Sequence, residues 1–231
     1  MSTFLQLCVH ARRECRIAGT GPTAVTSQVG ELERLVNWVA NAYTEIQNKH
    51  PNWRWLRSSF TAATVASDDT YAYGDLTDTG TSTAITRLSS FLPHEFKIYL
   101  TSAGVGTQHW LTYWQWDDFR RVYRIGTQND GYPSVVTIDP ANQVVLGAKP
   151  DAIYTVTGDY QKSAQILAAD GDTPEMPSQF HYLIVYEAVR KYAAEVGDPG
   201  LWAASKDEAA QMWRDLRQNQ LPPSNYGNPL A

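Results

Sequence analysis

A chain of 231 residues, 43% of them hydrophobic and 19% charged, can bury a sizeable core, which excludes a wholly disordered protein. The formal net charge of −5 argues against a protein that wraps nucleic acid, since affinity for phosphate comes from Lys and Arg and the counterions they displace. Charge or Gly breaks every apolar stretch well short of the roughly 20 residues that a membrane-spanning helix needs, so a soluble protein with no membrane partner is expected.

The first nine residues have no basic region ahead of their apolar side chains, and Arg12, Arg13 and Arg16 follow them, the reverse of a secretory signal. Synthesis and folding in a reducing cytoplasm are the expectation. Residues Thr3 to Ala18 read as a first helix, with Phe4, Leu7, Cys8, Ala11, Cys15 and Ala18 at helical spacing. Gly19-Thr20-Gly21-Pro22 stops it. Seven residues of helix set Cys8 and Cys15 about 10 Å apart, too far for a disulfide, so both should be reduced. A second helix is expected from about Gln28 to Lys49, capped by Thr26 or Ser27, with Val29, Leu32, Leu35, Val36, Val39, Tyr43 and Ile46 on one stripe.

From Trp53 to about Tyr160 the pattern turns to β, with frequent Thr, Val, Ile and Tyr and with Gly, Asp, Asn and Pro between runs. Thr70 to Arg87 has turn chemistry and little to bury, and is expected to be a mobile or partner-ordered loop. Gln115 to Tyr123 is a short amphipathic helix, placing Trp116, Phe119, Val122 and Tyr123 against Asp117, Asp118, Arg120 and Arg121; it should lie on a sheet. Ser134 to Ile138 and Gln143 to Leu146 flank the turn Asp139-Pro140-Ala141-Asn142, and Ala152 to Tyr160 alternates cleanly. These three are expected to be consecutive antiparallel strands.

Helix returns at Pro177-Ser178, with one apolar face of Phe180, Leu183, Ile184, Ala188 and Tyr192 and a second of Tyr182, Val185, Tyr186 and Val189. Such a helix must be covered on two sides, and a neighbouring copy is the expected second cover. After Gly197-Asp198-Pro199-Gly200 a last helix runs from about Leu201 to Arg217, carrying Trp202, Ala209, Met212, Trp213 and Leu216. The tail, 218–231, holds three Pro residues and no periodicity, and should be extended.

Catalytic and metal chemistry has little support. His10, His50, His94, His109 and His181 lie in five different elements, none at metal-ligand spacing, and His181 reads as a structural histidine beside a buried face. Cys8, His10 and Cys15 along one helix cannot close a tetrahedron without a fourth ligand from elsewhere. Gly104-Val105-Gly106 lacks the third Gly and the Lys of a phosphate cradle. Asp117-Asp118 and Asp170-Gly171-Asp172 do not form a calcium loop. No cofactor, no metal and no enzyme activity are therefore expected. Eight Trp and thirteen Tyr are many for this length, and such side chains favour interfaces.

Several segments resemble the tailed-bacteriophage head-to-tail adaptor, or connector, family. They are Trp114-Gln115-Trp116-Asp117-Asp118-Phe119-Arg120-Arg121-Val122-Tyr123, Gly131-Tyr132-Pro133, and Ile153 through Tyr160. The resemblance continues in Thr173-Pro174-Glu175-Met176-Pro177-Ser178-Gln179-Phe180-His181 and Glu187-Ala188-Val189-Arg190-Lys191-Tyr192-Ala193-Ala194. It is weaker, at the level of pattern, over the N-terminal helix and Trp53-Arg54-Trp55.

The resemblance implies an α+β fold in which N-terminal helices (1–52) and C-terminal helices (166–217) form one bundle. An antiparallel β-rich insertion (53–165) projects from the bundle, and an extended tail (218–231) follows it. It implies a structural virion protein, made in the host cytoplasm and placed at the head-to-tail interface. There a homo-oligomeric ring of about twelve copies would join the portal protein to a tail or nozzle protein. DNA would pass through without sequence-specific binding. Leu221, Pro222, Pro223, Tyr226 and Pro229 in the tail, with Tyr71, Tyr73, Trp202 and Trp213, are the candidate partner-interface residues. The alternative from another class is a carbohydrate-binding tail or cell-surface module that uses Trp110, Tyr113, Trp114 and Trp116.

Overall fold

The computed structural model describes residues 1–222. The chain divides into two compact units, one of residues 1–56 together with the chain from 164 onward, the other of residues 57–163. The described residues hold five α-helices: α1 (Phe4–Glu14), α2 (Glu31–Asn48), α3 (Trp116–Tyr123), α4 (His181–Val196) and α5 (Pro199–Gln220). With the strands described below they make an α+β fold.

In the helical unit, α1 opens on a capping box: the Gln6 N–H donates to Thr3 Oγ1 (3.3 Å) and the Thr3 N–H to Gln6 Oε1 (3.0 Å). It ends four residues earlier than its apolar spacing suggests. Arg16 takes a left-handed φ of 56°, and the Arg12 guanidinium turns back to donate to the carbonyls of Ile17 (2.8 Å) and Gly19. Helix α2 also starts late, at Glu31. Ser27 and Gly30 adopt left-handed φ values, and Val29, expected on the apolar stripe, is 81% exposed.

Helix α4 is the axis of this unit. Leu183, Ile184, Val185, Ala188 and Val189 are all buried, and α1, α2 and α5 pack around them. On its second apolar face Val185 and Val189 are buried, with α5 of the same chain packed against the helix, while Tyr182 is 41% exposed and Tyr186 is half-buried. The hairpin that brings α5 back is built from local signals. Gly197 closes α4 in the left-handed conformation, Asp198 caps α5 by accepting the Leu201 N–H (2.9 Å), and Pro199 fills the first turn. Trp53, read as the start of the β region, turns instead into this core, where its indole N–H is shared by the carbonyls of Ile46 (3.2 Å) and Gln47 (3.0 Å).

The second unit carries thirteen short strands: β1 (Arg57–Ala63), β2 (Thr70–Tyr71), β3 (Thr77–Asp78), β4 (Thr83–Ala84), β5 (Ser90–Phe91), β6 (Lys97–Leu100), β7 (His109–Trp110), β8 (Thr112–Tyr113), β9 (Asp130–Gly131), β10 (Val135–Ile138), β11 (Val144–Gly147), β12 (Lys149–Pro150) and β13 (Tyr154–Gln161). One sheet runs β4-β3-β1-β13-β6-β7 with β5 also on β13, and a second runs β2-β11-β10-β8. Strand β13 is the spine of the first. It pairs antiparallel with the whole of β1, from Arg57↔Gln161 to Ala63↔Thr155.

Alternation along β13 buries Tyr154, Val156 and Tyr160 against Phe60, Phe91, Phe96 and Ile98 of its own sheet and Val136, Val144 and Leu146 of the other. The opposite face of the second sheet offers Val135 and Val145 to Phe119 of α3, with Trp114, Trp116 and Tyr123 around it. This unit is thus three layers: sheet, sheet and helix.

Three expectations are revised here. The hairpin β10–β11 forms around Asp139, whose Oδ1 accepts the N–H groups of Ala141 (2.9 Å) and Gln143 (2.8 Å). Yet β13 does not continue that meander, because its fully alternating pattern is taken up by the other sheet. Thr70 to Arg87 is an ordered part of the unit rather than a free loop, since Tyr71, Leu76 and Ile85 are buried and β2, β3 and β4 lie within it. Val122, placed on the packed face of α3, is 51% exposed.

Candidate functional site

Of the described residues marked in the sequence as partner contacts, two are buried. Tyr71 is a core residue of the β unit whose hydroxyl donates to the Asp68 carbonyl (2.5 Å), and burial raises its pKa. Trp213 is a core residue of the helical unit: its indole N–H donates to Glu187 Oε1 (2.7 Å), and Lys49 and Arg217 sit over its ring. Tyr73 is exposed on the β unit, and Trp202 is exposed on the helical unit beneath Lys206 Nζ (5.0 Å). Leu221 packs partly against the helical core, and Pro222 is exposed. Pro223, Tyr226 and Pro229 lie outside the described residues.

His181, Cys8, Cys15, Asp117 and Asp118 are occupied structurally. His181 is buried, accepts the Ser2 N–H at Nδ1 (3.3 Å) and lies 2.9 Å from the Met176 carbonyl through Nε2; burial lowers its pKa and keeps the ring neutral. Burial pushes the thiols of Cys8 and Cys15 up to about 12, so both stay protonated. Asp117 and Asp118 sit in the first turn of α3 and pair with Arg120 (3.3 Å) and Arg121 (3.4 Å). Among the described residues no cluster of three or more His, Cys, Asp or Glu is arranged to hold a metal ion.

Asp170 and Asp172 serve α1. Their backbone carbonyls accept the N–H groups of Leu5 (3.2 Å) and Phe4 (2.7 Å), which a helix start leaves unpaired. The Asp172 side chain in turn accepts from Ala168 (2.7 Å) and Ala169 (2.8 Å), and those hydrogen bonds lower its pKa. The long-range pairing of the 168–172 loop with the first helix carries no local sequence signal.

The aromatic cluster does not make a flat binding platform. Trp114 and Trp116 are half-buried around Phe119, while Trp110 is exposed on the edge strand β7 with Lys97 Nζ over its ring (4.3 Å). Two surface features were not legible in the sequence. One is an open cavity of about 560 Å³ lined by Gln179, Phe180, Met212, Asp215, Gln218 and Asn219. The other is the end of α3 and the turn after it, where Val122 and Ile125 face solvent. Among the described residues no helix is long and apolar enough to cross a membrane.

These features are packed cores and exposed patches rather than a reaction centre. A family model described as SU10 adaptor protein matches residues 2–227, spanning both units. None of the curated proteins matches the sequence. The chain therefore belongs to the SU10 adaptor protein family, a family of phage head-to-tail adaptors that are structural rather than enzymatic.

Proposed function

We propose that this protein is the virion component that assembles as a ring between portal and tail, with about twelve copies surrounding a channel through which DNA passes. The observation that carries the reading is the reach of the family match, residues 2–227, which takes in both units. The physical character of the chain is in keeping with it. A net charge of −5 gives a channel wall little grip on phosphate, and the titratable groups described above are engaged in holding the fold.

In this reading the segment 221–231 is the attachment to the portal or an adjacent copy. It follows directly on α5 and brings Leu221, Pro222, Pro223, Tyr226 and Pro229 to the contact. Tyr73 and Trp202, exposed on their separate units, are the remaining candidates for partner contacts. The tail-side partner is a tail or nozzle protein. Adding the purified protein to portal-bearing heads that lack it should restore tail joining, and a variant ending at Gln220 should fail to. Equal restoration by the truncated variant would remove the segment from this role.

A further inference from the structure

Two surface features described above, one carrying exposed apolar and basic side chains and the other an apolar and acidic lining, lie on different units of the chain. The turn after α3 projects Ile125, 65% exposed, with Val122 beside it and Arg120 and Arg121 on the same short stretch. It is a held structure. Gln128 Nε2 donates to the carbonyls of Val122 (3.2 Å) and Ile125 (2.6 Å), and Gly126 turns the chain in the left-handed region at φ 67°. A pre-formed projection loses little conformational freedom on docking.

The cavity beside α5 is its counterpart. Phe180 and Met212 give an apolar floor, and Gln179, Gln218 and Asn219 are amide side chains able to donate to and accept from a visiting backbone. Among the described residues that line it, Asp215 is the charged one. Arg120 and Arg121 form exposed pairs with Asp117 and Asp118, which are weak in water and cost little to exchange.

We infer that Ile125 of one copy seats in the Phe180–Met212 cavity of the next, with Arg121 directed to Asp215. The inference rests on the ring reading and deepens it. Because knob and cavity are unlike surfaces on the same chain, every copy offers both halves. A contact of this kind propagates head to tail and closes where the rotation per copy permits, which is what a ring requires.

The test uses the full chain on portal-bearing heads. Ile125→Cys and Asn219→Cys place thiols on the two exposed partners, while Cys8 and Cys15 are buried and should not react. After mild oxidation, the double variant should give a ladder of covalent oligomers on a non-reducing gel. An equal mixture of the two single variants should stop at dimers, and each single variant alone should stay monomeric. A charge reversal, Asp215→Arg, should lower the ladder yield about tenfold, and adding Arg121→Asp should restore it.

Rings visible on the heads with the double variant still monomeric would overturn this contact and leave the ring reading intact. A faster-migrating monomer would place the contact within one copy, and dimers from Ile125→Cys alone would make it symmetric; either overturns the proposal. Absence of any ring on heads would remove the ring reading itself, and the contact with it.

Discussion

Tyr160 on β13 donates its phenolic hydrogen bond to Oδ2 of Asp78 on β3, joining residues 82 positions apart in sequence. Asp78 is only 5% exposed, and its carboxylate also accepts from Ser58 Oγ (2.9 Å), the Gly80 N–H (2.7 Å) and the Thr81 N–H (3.1 Å). One buried acid thereby fixes the 70–87 segment to the spine of the sheet.

Asp78→Ala should destabilise the β unit by about 2–4 kcal/mol in urea unfolding, because buried donors lose their acceptor. Burial alone would raise the pKa of this carboxyl, but the hydrogen bonds from Tyr160, Ser58, Thr81 and Gly80 outweigh it and the net shift is downward. A carboxyl depressed in the folded state contributes stability above its unfolded pKa of about 3.9 and loses it as pH falls through the folded value. The wild type should thus lose stability on acidification below about pH 4, and the variant should show a shallower acid limb.

Trp213 and Glu187 form the corresponding buried link in the helical unit, with Arg190 Nη2 on the second carboxylate oxygen (2.6 Å). Trp213→Phe keeps most of the ring contact but removes the indole donor, and should cost about 1–3 kcal/mol. Trp213→Ala adds a cavity and should cost about 3–5 kcal/mol by the same denaturant measurement. Equal losses for the two variants would mean that the hydrogen bond, not the packing, dominates.

The two thiols give an alkaline signature. Their folded pKa values of about 12 lie above the ordinary thiol value, so their stabilising effect is complete below about pH 8.5 and is lost as pH rises towards 12. Thermal unfolding should show stability falling over that window, and Cys8→Ala should flatten the fall. In native protein at pH 8, neither thiol should react with an aromatic disulfide reagent until the chain is unfolded.

Gly158 in β13 marks a close approach. A Cβ there would lie 2.9 Å from the Phe60 ring, with Phe96 at 3.4 Å. Gly158→Ala should therefore cost about 1–3 kcal/mol through overpacking, and Phe60→Leu in the same chain should recover part of that loss.

Much of this architecture is legible in the sequence. The apolar spacing of Leu35, Val36, Val39, Tyr43 and Ile46 gives α2, the alternation from Tyr154 to Tyr160 gives β13, and the Asp139–Asn142 turn gives the β10–β11 hairpin. What is hidden depends on partners distant in the chain. Val29 fits a helical stripe but falls outside α2, because Ser27 and Gly30 take left-handed conformations. The polar 70–87 segment looks solvent-exposed until Asp78 is seen to have Tyr160 and Ser58 as partners. On the second apolar face of α4, Val185 and Val189 are buried with α5 packed on the helix, which no local pattern shows, and the cavity at Phe180 and Met212 arises from elements some 30 residues apart.

The most direct test of the assembly account is imaging of portal-bearing heads, depleted of this protein, after addition of the purified full chain. The account predicts a closed ring of copies seated on the portal around an open channel, with tails joining only after it forms. A protein that stays monomeric and unattached in the presence of such heads, while tails join without it, contradicts the account.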